Sequence, residues 1–188
     1  MKKNLFIFHS LNADTLESWG KTLVSKFDDK IEIIMPNFPI RAESSYEKFE
    51  EIVLPYLKSG ELSENSVVVC HSIGNPYFIR FSNKHNFVPR VYVSVAPGAV
   101  YPYPETRTDY IVDVKKRANL KQEEFDYVKK NFKRIELFYS LEEDNNLEKF
   151  TRFIDDTGAN AHYLEGYDHF TAKDLSVPEI ETLISELF

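Results

Sequence analysis

The segment with the clearest chemical meaning is a serine placed directly after an apolar run. Three valines at 67–69 lead through Cys70 and His71 to Ser72, and Gly74 stands two positions later. This is the context of a nucleophile elbow, where a sharp turn from strand to helix lifts a serine hydroxyl above the edge of a sheet. The residues two before and two after the serine must be small, and cysteine stands where glycine is usual. The motif predicts Ser72 as a nucleophile; a coincidental Ser-x-Gly after a strand is the alternative.

A serine hydroxyl is a weak nucleophile at neutral pH and needs an adjacent base. His169 lies in the turn-like segment Gly-Tyr-Asp-His-Phe, after the last strand pattern and before the last helical one. Because such a loop lies at the carboxyl edge of the sheet, it can reach Ser72, and His169 is the predicted base. Three other histidines fit less well. His71 would point away from the hydroxyl, His162 falls inside a strand, and His85 is expected to face solvent.

A carboxylate is needed to hold the imidazole of His169 in the correct tautomer and to stabilise its charged form. In chain order it falls between the serine and the histidine. The strand pattern at 135–139 is followed by Glu142, Glu143 and Asp144. The residues therefore predict where the acid lies and leave open which of the three it is.

Two backbone N–H groups are expected to form an oxyanion hole, which stabilises the negative charge of a tetrahedral intermediate. One belongs to Ile73, the residue after the nucleophile. The other comes from the loop after the first strand, where the N–H of Leu11 is the predicted donor.

Short apolar runs alternate with helical patterns along the whole chain. Continuously apolar runs are typical of strands covered by helices on both faces. The repetition predicts one α/β domain over residues 1–188, with a doubly wound, mostly parallel sheet of about six strands. The second helix is expected to start at a capping box of Ser44 and Glu47 and to stop at Gly60. The predicted strands are 5–8, 31–34, 67–70, 91–95, 135–139 and 161–164.

Composition excludes several classes of function. The 188 residues carry 23 Lys and Arg against 30 Asp and Glu, a net charge of −7, which disfavours nucleic-acid binding. Cys70 is the single cysteine, so an intrachain disulfide and a thiolate metal cluster are excluded. No run approaches the roughly 20 apolar residues of a membrane span, and the apolar run before His9 is too short for a signal peptide. We expect a cytoplasmic protein without a membrane partner.

These motifs resemble those of the compact serine hydrolases of bacteria and animals that are typified by the YdeN protein and retinoblastoma-binding protein nine. The likeness rests on His-Ser-Ile-Gly at 71–74, Met-Pro-Asn at 35–37, Asp-His-Phe at 168–170 and Ser-Trp at 18–19. The chain departs from the family at Ser10, where the family usually has glycine. It departs again at Asp168, just before the histidine, where glycine is also usual.

The resemblance implies an α/β-hydrolase with little or no lid, Ser72 as nucleophile and His169 as base. The family acid is an aspartate three residues past a serine at a strand end, a position that is Glu143 here, with Asp144 a close rival. The implied reaction is hydrolysis of a small ester, thioester or amide through an acyl-serine intermediate, with a small acyl substrate and no cofactor.

Two alternatives stay open. The departures at Ser10, Cys70 and Glu143 are also compatible with a hydrolase fold that has lost activity and serves as a binding module. A flavodoxin-like nucleotide-binding protein is disfavoured because the chain lacks a glycine-rich first loop.

Overall fold

A parallel sheet runs through the computed structural model, which describes residues 4–9, 19–27, 29, 31–38, 45–102, 118–140, 147–167, 169–170 and 176–188. Six strands in this part of the chain lie in the order β2-β1-β3-β4-β5-β6, and every neighbouring pair is parallel. The predicted doubly wound sheet is therefore confirmed, with all six strands parallel. The strands are β1 (Asn4–Phe8), β2 (Glu32–Ile34), β3 (Val67–His71), β4 (Val91–Val95), β5 (Ile135–Ser140) and β6 (Asn160–Leu164).

Helices follow the strands as the alternating pattern predicts. A short 3-10 turn, Pro97–Val100, comes directly after β4. Of the helices described, none is long and apolar enough to cross a bilayer. The helices are α1 (Trp19–Phe27), α2 (Tyr46–Ser59), α3 (Gly74–His85), α4 (Gln122–Asn131), α5 (Leu147–Thr157) and α6 (Pro178–Leu187).

The two faces of the sheet are covered by different helices, because successive side chains of a strand point to opposite sides. On β3, Val68 and Cys70 belong to a core that also includes side chains of α2, α3, α4 and α5. Val67 and Val69 belong to a second core, with side chains of α1 and α6. Apolar burial on both faces explains why these strands read as unbroken hydrophobic runs.

The ends of the elements differ from the predictions in detail. The cap of α2 is Ser45 rather than Ser44: its hydroxyl oxygen accepts the Lys48 N–H at 3.2 Å. Ser44 itself lies outside the described residues. The predicted stop at Gly60 is confirmed, since this residue has φ +81°, a conformation that favours glycine.

Candidate active site

Ser72 occupies the turn between β3 and α3. Its φ is +50°, in the left-handed region that residues other than glycine rarely adopt. The residue is 4% exposed, and its N–H donates to the carbonyl oxygen of Val95 on β4 at 3.0 Å. A strained serine at a strand-to-helix turn, held by the neighbouring strand, is the backbone geometry that the elbow motif predicts.

Gly74 is required by a close approach between α3 and β1. A Cβ atom at this position would lie 2.6 Å from the carbonyl oxygen of Phe8 and 3.3 Å from that of His9. Both are backbone atoms, which cannot swing away as a side chain could. The missing side chain therefore lets the start of α3 sit against the carboxyl end of β1, where the predicted oxyanion loop begins.

Cys70 stands two residues before the serine and is completely buried. Its side chain packs in the core on the α3 side of the sheet. Burial raises the pKa of the Cys70 thiol well above its ordinary value, because a thiolate is poorly solvated there. The thiol therefore stays protonated and inert at neutral pH.

The two residues predicted to react together do lie together. Nε2 of His169 is 2.9 Å from Oγ of Ser72, across 97 positions of sequence. This is hydrogen-bond distance, and it lets a neutral imidazole accept the serine proton. The geometry matches a nucleophile and its base, while their catalytic roles stay predictions.

His71 reaches the loop that carries His169. Its Nε2 lies 2.8 Å from the backbone carbonyl oxygen of His169, and the two ring centroids are 5.2 Å apart. Burial, reinforced by the nearby His169 ring, lowers the pKa of His71 to about 3, so the imidazole is neutral near pH 7. Since a carbonyl only accepts hydrogen bonds, Nε2 carries the proton and donates it.

Asn75 is a buried polar residue whose role the motif does not reveal. Its Nδ2 donates to the carbonyl oxygens of Ser72 and Val95, each at 3.0 Å. Its Oδ1 accepts from the hydroxyls of Tyr92 and Ser94, each at 2.7 Å. The two carbonyls fix the orientation of the amide, because only the NH₂ end can face them. The side chain thus joins the elbow to β4. The signal in the sequence was an amide in the first turn after the elbow.

The loop before His169 is tied to the end of β5. The hydroxyl of Ser140, the last residue of that strand, donates to the backbone carbonyl oxygen of Tyr167. Glu142, Glu143 and Asp144 follow this strand, and all three lie outside the described residues.

Of the two predicted oxyanion donors, Ile73 lies in the described part of the chain. Leu11 lies outside the described residues, as does Ser10. Ile73 is 3% exposed and immediately precedes α3. Its N–H is one of the first N–H groups of that helix, which have no acceptor within the helix.

Two other histidines are engaged elsewhere. The expectation that His85 faces solvent is wrong: its Nε2 lies 2.7 Å from Glu50 Oε1, and its side chain is only 20% exposed. His162 lies on β6, with Nε2 2.7 Å from Glu136 Oε2. In the described ranges, no group of three or more His, Cys, Asp or Glu side chains could hold a metal ion.

Solved structures with the same architecture identify the fold. The product of the ydeN gene of Bacillus subtilis superimposes with a TM-score of 0.82 and 16% identity, covering 99% of this chain and 98% of that one. An α/β-hydrolase enzyme from the metagenome of sediments of the Mar Chica lagoon, Morocco, superimposes with a TM-score of 0.70 and 15% identity. The match covers 100% of this chain and 91% of that one. This chain has the α/β-hydrolase fold.

A third structure with this α/β-hydrolase fold is the monoacylglycerol lipase of Paleococcus ferrophilus, with a TM-score of 0.68, 14% identity, and coverage of 97% and 92%. No protein-family model matches the chain, and no curated protein matches it by sequence. The predicted resemblance to YdeN is thus confirmed at the level of fold, and that to retinoblastoma-binding protein nine stays a prediction.

Proposed function

We propose that the protein is a serine hydrolase that cleaves a small ester, thioester or amide through an acyl-serine intermediate. The observation that carries the proposal is the 2.9 Å approach of His169 Nε2 to Ser72 Oγ at a strained strand-to-helix turn. The monoacylglycerol lipase among the similar structures supports the choice of an acyl substrate.

In the first half of the reaction, Ser72 Oγ attacks the substrate carbonyl carbon while its proton passes to His169 Nε2. The tetrahedral intermediate collapses, the bond to the leaving group breaks, and that group takes the proton from Nε2. The acyl group is now an ester of Ser72. Water then gives a proton to Nε2 and attacks the ester carbonyl. Collapse releases the carboxylic acid and returns the proton to Oγ.

The carboxylate partner of His169 is proposed to be Glu143, with Asp144 as its rival. Both follow Ser140 closely, and Ser140 bonds Tyr167, which is two residues before His169. The strand end that leads into this segment is therefore bonded to the stretch of chain that leads to His169, which supports an acid from this segment. A negative charge there would hold the tautomer and stabilise the imidazolium.

The oxyanion is proposed to be held by the N–H groups of Ile73 and Leu11. Ile73 adjoins the nucleophile at the start of α3, where the helix dipole also favours negative charge. The close packing of Gly74 on Phe8 and His9 brings the carboxyl end of β1 next to the start of α3. This supports a second donor from the loop that follows β1.

A fluorophosphonate probe tests the proposal, because an activated serine displaces fluoride and forms a stable phosphorus–oxygen bond. We expect the wild-type protein to be labelled on the peptide that contains Ser72, and Ser72→Ala to stay unlabelled. Ser25→Ala, on α1, is the matched control and should label like the wild type. Hydrolysis of short-chain p-nitrophenyl esters should follow the same pattern. A folded wild-type protein that neither labels nor turns over ester would overturn the proposal and favour a binding module.

A further inference from the structure

We propose that His71 is a positioning residue, which holds the backbone of the His169 loop by donating its Nε2–H to the carbonyl oxygen of His169. The inference rests on the proposed function, since positioning matters only if His169 is the base. It assigns a role to the residue between Cys70 and the serine, which the elbow motif leaves unexplained.

The donor lies on a rigid element and the acceptor on a loop. His71 is the last residue of β3, paired in register with Val95 of β4, and is 3% exposed. The next residue, Ser72, meets the ring of His169, while His71 meets its backbone. One strand end therefore holds both the ring and the main chain of the base, which limits how far the ring can move from the hydroxyl.

Two further contacts anchor the loop on either side of this hydrogen bond. Ser140 bonds the carbonyl of Tyr167 before it. Phe170, after it, is fully buried, stacks on the Tyr167 ring at 5.3 Å, and has φ +47°. A residue forced into this unfavourable region needs its neighbours held in place. The hydrogen bond from His71 holds the backbone of His169, the residue directly before Phe170.

The neutral state of His71 suits this role. The imidazolium formed on His169 during catalysis would lie 5.2 Å, ring to ring, from any positive charge on His71. A cationic side chain such as lysine could also hold the carbonyl, but it would repel that charge in a buried setting. An uncharged N–H donor holds the loop without opposing the proton transfer.

Three substitutions separate the hydrogen bond from the bulk of the ring. His71→Gln places an amide N–H as many bonds from Cβ as Nε2 is, whereas in His71→Asn the amide falls one bond short. His71→Phe keeps a ring and removes the donor. We expect Gln to keep kcat within about threefold, and Asn and Phe to lower it roughly 10–100-fold with KM nearly unchanged, because a misplaced base costs turnover rather than binding.

His85→Phe provides a matched control, since it removes a half-buried histidine that bonds Glu50 away from the serine. It should leave kcat and fluorophosphonate labelling unchanged. If the Gln, Asn and Phe variants of His71 all turn over alike, while His85→Phe behaves as wild type, the positioning role is wrong.

Nuclear magnetic resonance of the ring nitrogens distinguishes failure of this inference from failure of the proposed function. An Nε2–H tautomer at His71, with His169 ring signals that differ between the Gln and Asn variants, which both lack the His71 ring, shows that this hydrogen bond holds the His169 loop. An inactive wild type would then overturn the proposed function alone. An Nδ1–H tautomer at His71 overturns it, whatever the activity.

Discussion

At the scale of single residues, Ser72 combines burial with an unfavourable backbone angle, and the atoms around it keep it there. Its N–H is bonded to Val95 and its carbonyl to Asn75. Only 4% of the residue is exposed, yet Nε2 of His169 reaches its hydroxyl. Strain of this kind persists only where surrounding contacts outweigh it, which is common at reactive sites.

The identity of the acid is a prediction at this scale. Substituting the true partner of His169 by its amide should lower kcat on a chromogenic ester by about 10²–10⁴-fold, because the imidazole loses the charge that holds its tautomer and stabilises its protonated form. We expect this for Glu143→Gln, with Asp144→Asn close to wild type. The reverse result would select Asp144. Glu142→Gln tests the third carboxylate of the segment, and normal turnover in all three variants would place the acid elsewhere.

Gly74→Ala tests the close approach behind the elbow. The added Cβ would meet the Phe8 carbonyl at 2.6 Å, so the backbone must shift, at a cost of about 1–3 kcal/mol in unfolding free energy. The shift falls beside Ser72, and fluorophosphonate labelling should slow as well. Gly158→Ala is a control with φ +76° and open space around it; it should lose about 1–2 kcal/mol and label normally. Equal labelling by both variants would contradict the interpretation.

At the scale of elements, the contact between α3 and β4 is made by polar as well as apolar groups. The amide of Asn75 joins two backbone carbonyls to the hydroxyls of Tyr92 and Ser94, and all four hydrogen bonds are buried. A buried network in which each group has a partner fixes one arrangement of the helix against the strand. It thereby fixes the direction in which the elbow presents its serine.

Asn75→Asp should disrupt this hydrogen-bond network although it hardly changes the side chain's shape. A carboxylate cannot donate to the carbonyls of Ser72 and Val95, and it would be a buried charge facing two oxygens. We expect a loss of about 3 kcal/mol or more in unfolding free energy, measured in urea. Asn83→Asp, in the last turn of the same helix, should cost less than about 1 kcal/mol. Similar losses for the two variants would argue against the network.

At the scale of the whole molecule, the buried neutral His71 makes stability depend on pH. Its pKa is about 3 in the folded protein, against an ordinary value of 6.5 that applies when the chain unfolds. Between these values the unfolded state binds the extra proton, so stability falls as the pH drops below about 6.5. The limiting slope is about 1.4 kcal/mol per pH unit.

Comparison of the wild type with His71→Gln isolates this contribution, because the two proteins differ only at this side chain. Urea unfolding at pH 7, 6 and 5 should show a steeper decline in the wild type. The buried carboxylate of Glu136 affects stability at lower pH than His71 does. Burial raises the pKa of Glu136, but hydrogen bonds from His162, Arg134 and Asn160 outweigh burial and lower the pKa overall. The stability that Glu136 contributes is therefore lost only below about pH 4.5. Parallel curves for the two proteins would show that His71 is not buried as a neutral ring.

The sequence by itself determined the alternation of strands and helices, because apolar periodicity and turn residues act over short distances. Both ends of the strand at 91–95 were predicted correctly, and the ends of the five other strands were predicted to within one residue. It also pointed to Ser72 and His169, since a strand-to-helix elbow and a late histidine loop both lie at the carboxyl edge of a parallel sheet.

Only the tertiary structure decided how distant residues meet around that pair. The bond from His71 to the His169 carbonyl, the four partners of Asn75 and the carbonyl of Phe8 against Gly74 all join different elements. Such contacts depend on where side chains point after the elements pack. Local pattern does not contain that information, because the same residues in the same helix or strand could face other neighbours in a different packing arrangement.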